Sequence, residues 1–196
     1  MPKLTRDNFS LAEMSECSFA ERLGIDNTPD LKTLANLGIV VTRLEEVRAL
    51  LGYPMHVNSG FRCEALERFL SKQDYLSWCS QRAVPQDDAS WKKYFATKAP
   101  SRGLAADFTC SQFGSPRDVL HAIKSSSIRF DQCILEGSWI HISFASRMRG
   151  DILIKQFDAF GIATSVRYLP TDQMQAGVPD PMGALSANIG EAVGVR

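Results

Sequence analysis

The stretch TKAPSRGLAADFTC, residues 97–110, sets one carboxylate inside an apolar run. Leu104, Ala105, Ala106 and Phe108 surround Asp107, and the run from Gly103 to Cys110 predicts a strand. A carboxylate there costs free energy unless it is paired or ligated. Arg62, in the segment Ser59-Gly60-Phe61-Arg62, is the most obvious ionic partner. A metal would need further ligands, and no histidine lies anywhere from Cys63 to Arg102.

Outward from this strand the chain alternates helical and extended patterns. Residues 8–24 predict a short helical entry with Ser10 as its cap, and Asp, Asn and Pro in 25–30 predict a turn. Leu31, Leu34, Leu37, Val41, Leu44, Val47 and Leu51 recur at three- and four-residue steps, which predicts a long amphipathic helix ended by Gly52. Residues 55–61 alternate as a strand, and Glu64 to about Trp78 predicts a helix. Residues 80–102 are polar and weakly periodic, which predicts an elaborated surface loop with one helical turn at most.

Ser115-Pro116-Arg117-Asp118 is a helix start, with Ser as cap and Pro in the first turn. Residues 130–136 and 138–144 predict neighbouring strands joined through Gly137, and 151–157 a further strand. Beyond Tyr168 the sequence is rich in Pro, Gly, Ala and Met without a sustained period, which predicts an extended tail over 168–196. Helices first, then mixed elements without regular alternation, give an α+β class. N-terminal helices pack on a small, mainly antiparallel sheet, with residues 1–167 as one domain carrying an insertion over about 71–102.

Bulk properties narrow the function classes. Lys plus Arg equals Asp plus Glu at 22 each, which argues against a broad nucleic-acid or anionic-lipid surface. No membrane span or signal-peptide pattern is present, so synthesis in the cytoplasm is expected. Five cysteines without a C-x-x-C pair predict reduced, mostly buried thiols, Cys63 and Cys110 among them.

Three segments at strand ends carry the candidate chemistry: Ser59 to Arg62, Gly103 to Asp107, and Glu136 to His141. In this order they resemble the zinc D-alanyl-D-alanine carboxypeptidases of the Hedgehog/DD-peptidase fold, in their phage and prophage branch. The resemblance spans roughly residues 8–155. It implies Asp107 and His141 as metal ligands, Arg62 as substrate or oxyanion clamp supported by Ser59, Glu136 as catalytic base, and Trp139 lining the cleft. Zinc would acidify a bound water and polarise the scissile carbonyl.

The pattern is broken at one point. The resemblance places the first ligand histidine seven residues before Asp107, where this chain has Pro100. The connection from Arg62 to Asp107 is also longer than in the family, as though an insertion replaced the histidine loop. Of the remaining histidines, His121 falls on the polar side of its helix and His56 on a distant part of its strand. Cys79, Asp87 and Asp88 in the insertion are the other substitutes. Two protein ligands make a poor catalytic zinc site.

Two readings follow. One is a degenerate peptidase without metal that binds a partner or builds an assembly, as a virion tail or baseplate component would, with its tail against another subunit. The other is an active zinc peptidase cleaving peptidoglycan peptides, its missing ligand supplied by the insertion. The absent histidine favours the first.

Overall fold

In the computed structural model, residues 8–157 and 163–167 are described. The predicted tail, 168–196, lies outside the described residues. Six helices and six strands follow in the order α1 (Ser18–Leu23), α2 (Leu31–Leu51), β1 (His56–Ser59), α3 (Glu64–Leu70), α4 (Lys72–Arg82), α5 (Asp88–Phe95), β2 (Ala105–Thr109), α6 (Pro116–Lys124), β3 (Gln132–Glu136), β4 (Trp139–Ser143), β5 (Asp151–Phe157) and β6 (Ala163–Arg167). A 3-10 turn, Pro100–Arg102, precedes β2. The class is α+β. The strands form one sheet in the order β1-β2-β4-β3-β5-β6. Every neighbouring pair is antiparallel except β3 and β5.

The sheet has two unlike faces because side chains alternate along each strand. Ala106, Phe108, Cys133, Leu135, Ile140 and Ile142 form the inner face, and all are buried. Against it lie Leu37, Val40, Val41, Leu44 and Val47 of α2 and Val119, Leu120 and Ile123 of α6. Each such aliphatic side chain contributes roughly 1.5–3 kcal/mol on burial. α2 starts at Asp30, whose carboxylate accepts from Thr33 N at 2.7 Å, and ends at Gly52. Its stripe is as expected except at the N-terminal end, where Leu31 is 86% exposed in the first turn. α6 opens with a reciprocal capping box between Ser115 and Asp118.

Two expectations are corrected. The entry segment is helical only over α1; residues 11–15 form a turn. Ser10 caps that turn, its Oγ accepting from Glu13 N at 3.2 Å, but hydrogen bonding stops short of a helix. Residues 80–102 are not a surface loop. They hold the end of α4, all of α5 and the 3-10 turn, and they bury Trp91, Tyr94, Ser90 and Ser101. The predicted helix over 64–78 is divided at Ser71 into α3 and α4. Rings of Tyr75, Trp78, Trp91 and Tyr94 meet at 5.2–5.7 Å, so aromatic packing holds these short helices together.

Candidate functional site

The outer face of the sheet carries the polar row. Ser59 of β1 stands opposite Asp107 of β2, and Asp107 opposite His141 of β4. A register shift between Val57 and Ser59 makes this possible. Val57 pairs with Phe108 and Ser59 with Asp107, so Asn58 is the extra residue of a bulge. Without it Asn58 would face Asp107, and Ser59 would turn towards the core.

Four of the predicted residues meet here. Arg62 donates from Nε to Ser59 Oγ at 3.1 Å and from Nη2 to Asp107 Oδ2 at 3.1 Å. Asp107 Oδ1 lies 2.7 Å from His141 Nδ1. Asp107 and His141 side chains are only 11% and 13% exposed, whereas Arg62 keeps 26% and reaches solvent. A near-buried carboxylate is thereby matched on both oxygens, as its cost of burial demands.

Arg62 is placed from the N-terminal side. Phe61 N donates to Met14 O at 2.6 Å, and Asn27 Nδ2 donates to Phe61 O at 3.1 Å while its Oδ1 accepts from Cys63 N at 2.8 Å. Gly60 is packed so closely that a Cβ there would sit 2.4 Å from Met14 O. Gly103, which ends the 3-10 turn at φ 64, would bring a Cβ to 2.8 Å from Thr33 O.

Glu136 is elsewhere on this face. It pairs with Trp139 in the β3–β4 ladder, two residues along from the Ile134–His141 pair, and with Lys155 on β5. Its Oε1 lies 3.7 Å from Lys155 Nζ, a cation on the strand beyond β3, away from His141. Trp139 is half-buried and lines a cavity of about 170 Å³ with Phe108, Cys110, Pro116, Val119 and Ile140. This cavity belongs to the end of the sheet near α6.

The other histidines and the insertion's substitutes stand apart. His56 is exposed at the start of β1, opposite Thr109, and His121 is half-buried on α6. Cys79 is buried, its thiol 3.8 Å from Pro85 O. Asp87 caps α5 through Ser90 N at 2.8 Å, and Asp88 pairs with Arg68 at 3.1 Å. Burial raises the thiol pKa values of Cys110 and Cys133; Cys17 and Cys63 are half-buried, so Cys63 is more accessible than expected.

One residue of the cluster escaped sequence reasoning. Glu67 of α3 is 2% exposed, with Arg62 Nη1 3.9 Å from Oε2 and Lys98 Nζ 3.8 Å from Oε1. In EALERFL it resembles an ordinary solvent-facing helix carboxylate, and nothing local announces its burial.

The donor set does not fit a catalytic zinc. Such a site takes three protein ligands and an open position. Asp107 and His141 are two; both Asp107 oxygens are engaged, one by His141 Nδ1 and one by Arg62, which leaves His141 Nε2 as the ring nitrogen outside this network. Position 100 is a proline at the start of the 3-10 turn. Among the described residues, no group of three or more His, Cys, Asp or Glu side chains gathers as a metal site, and no helix is long and apolar enough to cross a membrane.

Residues 7–71 match the model of the family described as Peptidase M15, whose members are generally zinc-dependent. No curated protein matches the chain. The matched span includes Ser59, Arg62 and Glu67 and ends before Asp107 and His141. The N-terminal part of the chain, through the arginine loop and α3, is thus related to Peptidase M15.

Proposed function

We propose that this protein is a degenerate D,D-peptidase-like binding protein that keeps the cleft of a peptidase and does without its metal. The observation that carries this reading is the closed bonding of Asp107, with Oδ1 on His141 and Oδ2 on Arg62. What remains for a ligand is the partly exposed guanidinium of Arg62, with Ser59 and His141 beside it. Such a site binds a carboxylate or carbonyl oxygen through charge-assisted hydrogen bonds. A peptidoglycan peptide end offers that chemistry, and so does an assembly partner's chain terminus.

The resemblance of the lead-in to phage-type members supports a virion component, such as a tail or baseplate part, as the form this takes. Residues 1–167 would be the folded unit with its insertion over 71–102, and 168–196 an extended arm against another subunit. The alternative, an active zinc peptidase cutting peptidoglycan peptides, draws on the meeting of Ser59, Arg62, Asp107 and His141. It would give Glu136 the base's role and Trp139 a place in the cleft. The pairing of Glu136 with Lys155 speaks against that role.

Metal content by mass spectrometry, after zinc loading and desalting, separates the two. The degenerate reading expects no retained zinc and no release of D-alanine from peptidoglycan peptides. Near-stoichiometric zinc that disappears in His141→Ala would overturn it.

A further inference from the structure

We propose that Glu67 is a positioning residue for Arg62 and, through Lys98, the latch that ties the segment 71–102 to the site. Arg62 has three nitrogen groups, and each meets a different partner. Nε bonds Ser59, Nη2 bonds Asp107, and Nη1 faces Glu67 Oε2 at 3.9 Å. The guanidinium plane is therefore fixed from three directions, two on the sheet and one on α3.

Glu67 itself is held from its own side. Ser71 Oγ donates to Oε1, and Lys98 Nζ lies 3.8 Å from the same oxygen. Lys98 also sits 4.4 Å above the ring of Tyr94 on α5. Oε2 is buried without a hydrogen bond, so Arg62 and Lys98 supply the compensation that a carboxylate at 2% exposure needs. The signs alternate along Lys98, Glu67, Arg62 and Asp107, and Asp107 in turn is hydrogen-bonded to His141. A cation from the insertion thus sets the far end of a chain whose near end is the site.

The latch holds whatever the cleft binds, so its failure and the failure of the binding reading are separate outcomes. The test is hydrogen exchange of the Arg62 Nε–H in the intact protein, followed by proton–nitrogen NMR. Glu67→Gln should speed that exchange by about tenfold, through loss of the ion pair that Glu67 makes with Nη1. It also leaves the Lys98 and Arg62 cations without the carboxylate between them, so Lys98→Met added to it should slow exchange part of the way back, while the lost contact at Nη1 keeps it faster than in the parent. A packing role alone would not be rescued by removing a second side chain. Unchanged Arg62 exchange in Glu67→Gln overturns the proposal. So does a rise shared equally by the amides of β3 and β5, or a double variant no slower than the single. Should Glu67→Gln not fold, Lys98→Met alone decides: Arg62 exchange at least about twofold faster supports the latch, and unchanged exchange overturns it.

Discussion

Ser59 and Asp107 stand opposite each other because one extra residue, Asn58, bulges out of β1. The bulge brings a hydroxyl and a carboxylate to the same arginine, at 3.1 Å each. Asp107 is the member on which the rest converge. Asp107→Asn keeps the shape but leaves Arg62 without its charge partner and weakens the hydrogen bond to His141. We expect a loss of about 2–3 kcal/mol in urea unfolding, below the cost for a fully buried pair because Arg62 reaches solvent. A change under about 0.5 kcal/mol would show that the network contributes nothing to stability.

Glu136→Gln should behave differently. Its partner Lys155 is 3.7 Å away and both side chains are partly exposed. The expected loss is under about 1 kcal/mol, the range of partly exposed ion pairs. A loss as large as that of Asp107→Asn would mean that Glu136 belongs to the central cluster after all.

The two motif glycines have reasons in packing alone. A Cβ on Gly60 would meet Met14 O at 2.4 Å, and one on Gly103 would meet Thr33 O at 2.8 Å with φ at 64. Gly60→Ala must push apart backbone that has no room to yield, and should cost at least about 2 kcal/mol. Thermal melting checks this, and an unshifted midpoint would refute the close approach. The presence of these glycines is thus no argument for surviving catalysis.

Much of this was legible in the sequence, for identifiable reasons. α2 and α6 announce themselves by apolar spacing and by end residues, Asp30 with Gly52 and Ser115 with Pro116. The meeting of Ser59, Arg62, Asp107 and His141 is what the resemblance of their three segments to the peptidase family implies. Residues 80–102 do not show their order in the sequence because it comes from aromatic rings on two short helices, neither long enough to show a stripe. Leu31 fits the α2 stripe yet begins the helix, where nothing packs over it. Glu67 was invisible because its burial depends on Lys98, 31 positions later and brought back by that same segment.

Ser115→Ala tests the helix start that was predicted and found. Ser115 Oγ accepts from Asp118 N at 3.3 Å, and the Asp118 carboxylate accepts from Ser115 Oγ and N at 2.6 and 2.8 Å. Loss of the cap should cost about 1 kcal/mol. A denaturation midpoint within error of the parent would refute it.

Asp131 gives a pH dependence with a definite sign. Its hydrogen bonds from the Arg149 side chain, at 2.6 and 2.8 Å, hold its carboxyl below the usual carboxylate range. A depressed folded pKa adds stability above the unfolded value, about 3.9, and loses it as pH falls through the folded one. Arg149→Met should therefore be less stable than the parent at neutral pH, with the gap closing below about pH 4. A gap that stays constant down to pH 2 would show that the arginine acts by packing alone.

Asn27 belongs to no helix or strand, yet it touches Ser15, Phe61 and Cys63 through three hydrogen bonds. It works as a splint: the chain ahead of α2 is set against the arginine loop by its amide, as Met14 does by its carbonyl. A fragment starting at Leu31 would lose this splint together with Phe9 and Met14 from the core and Asp30 from the start of α2, and would leave Arg62 unsupported from behind. A silent cleft in such a fragment would report a missing brace and not the chemistry of the site.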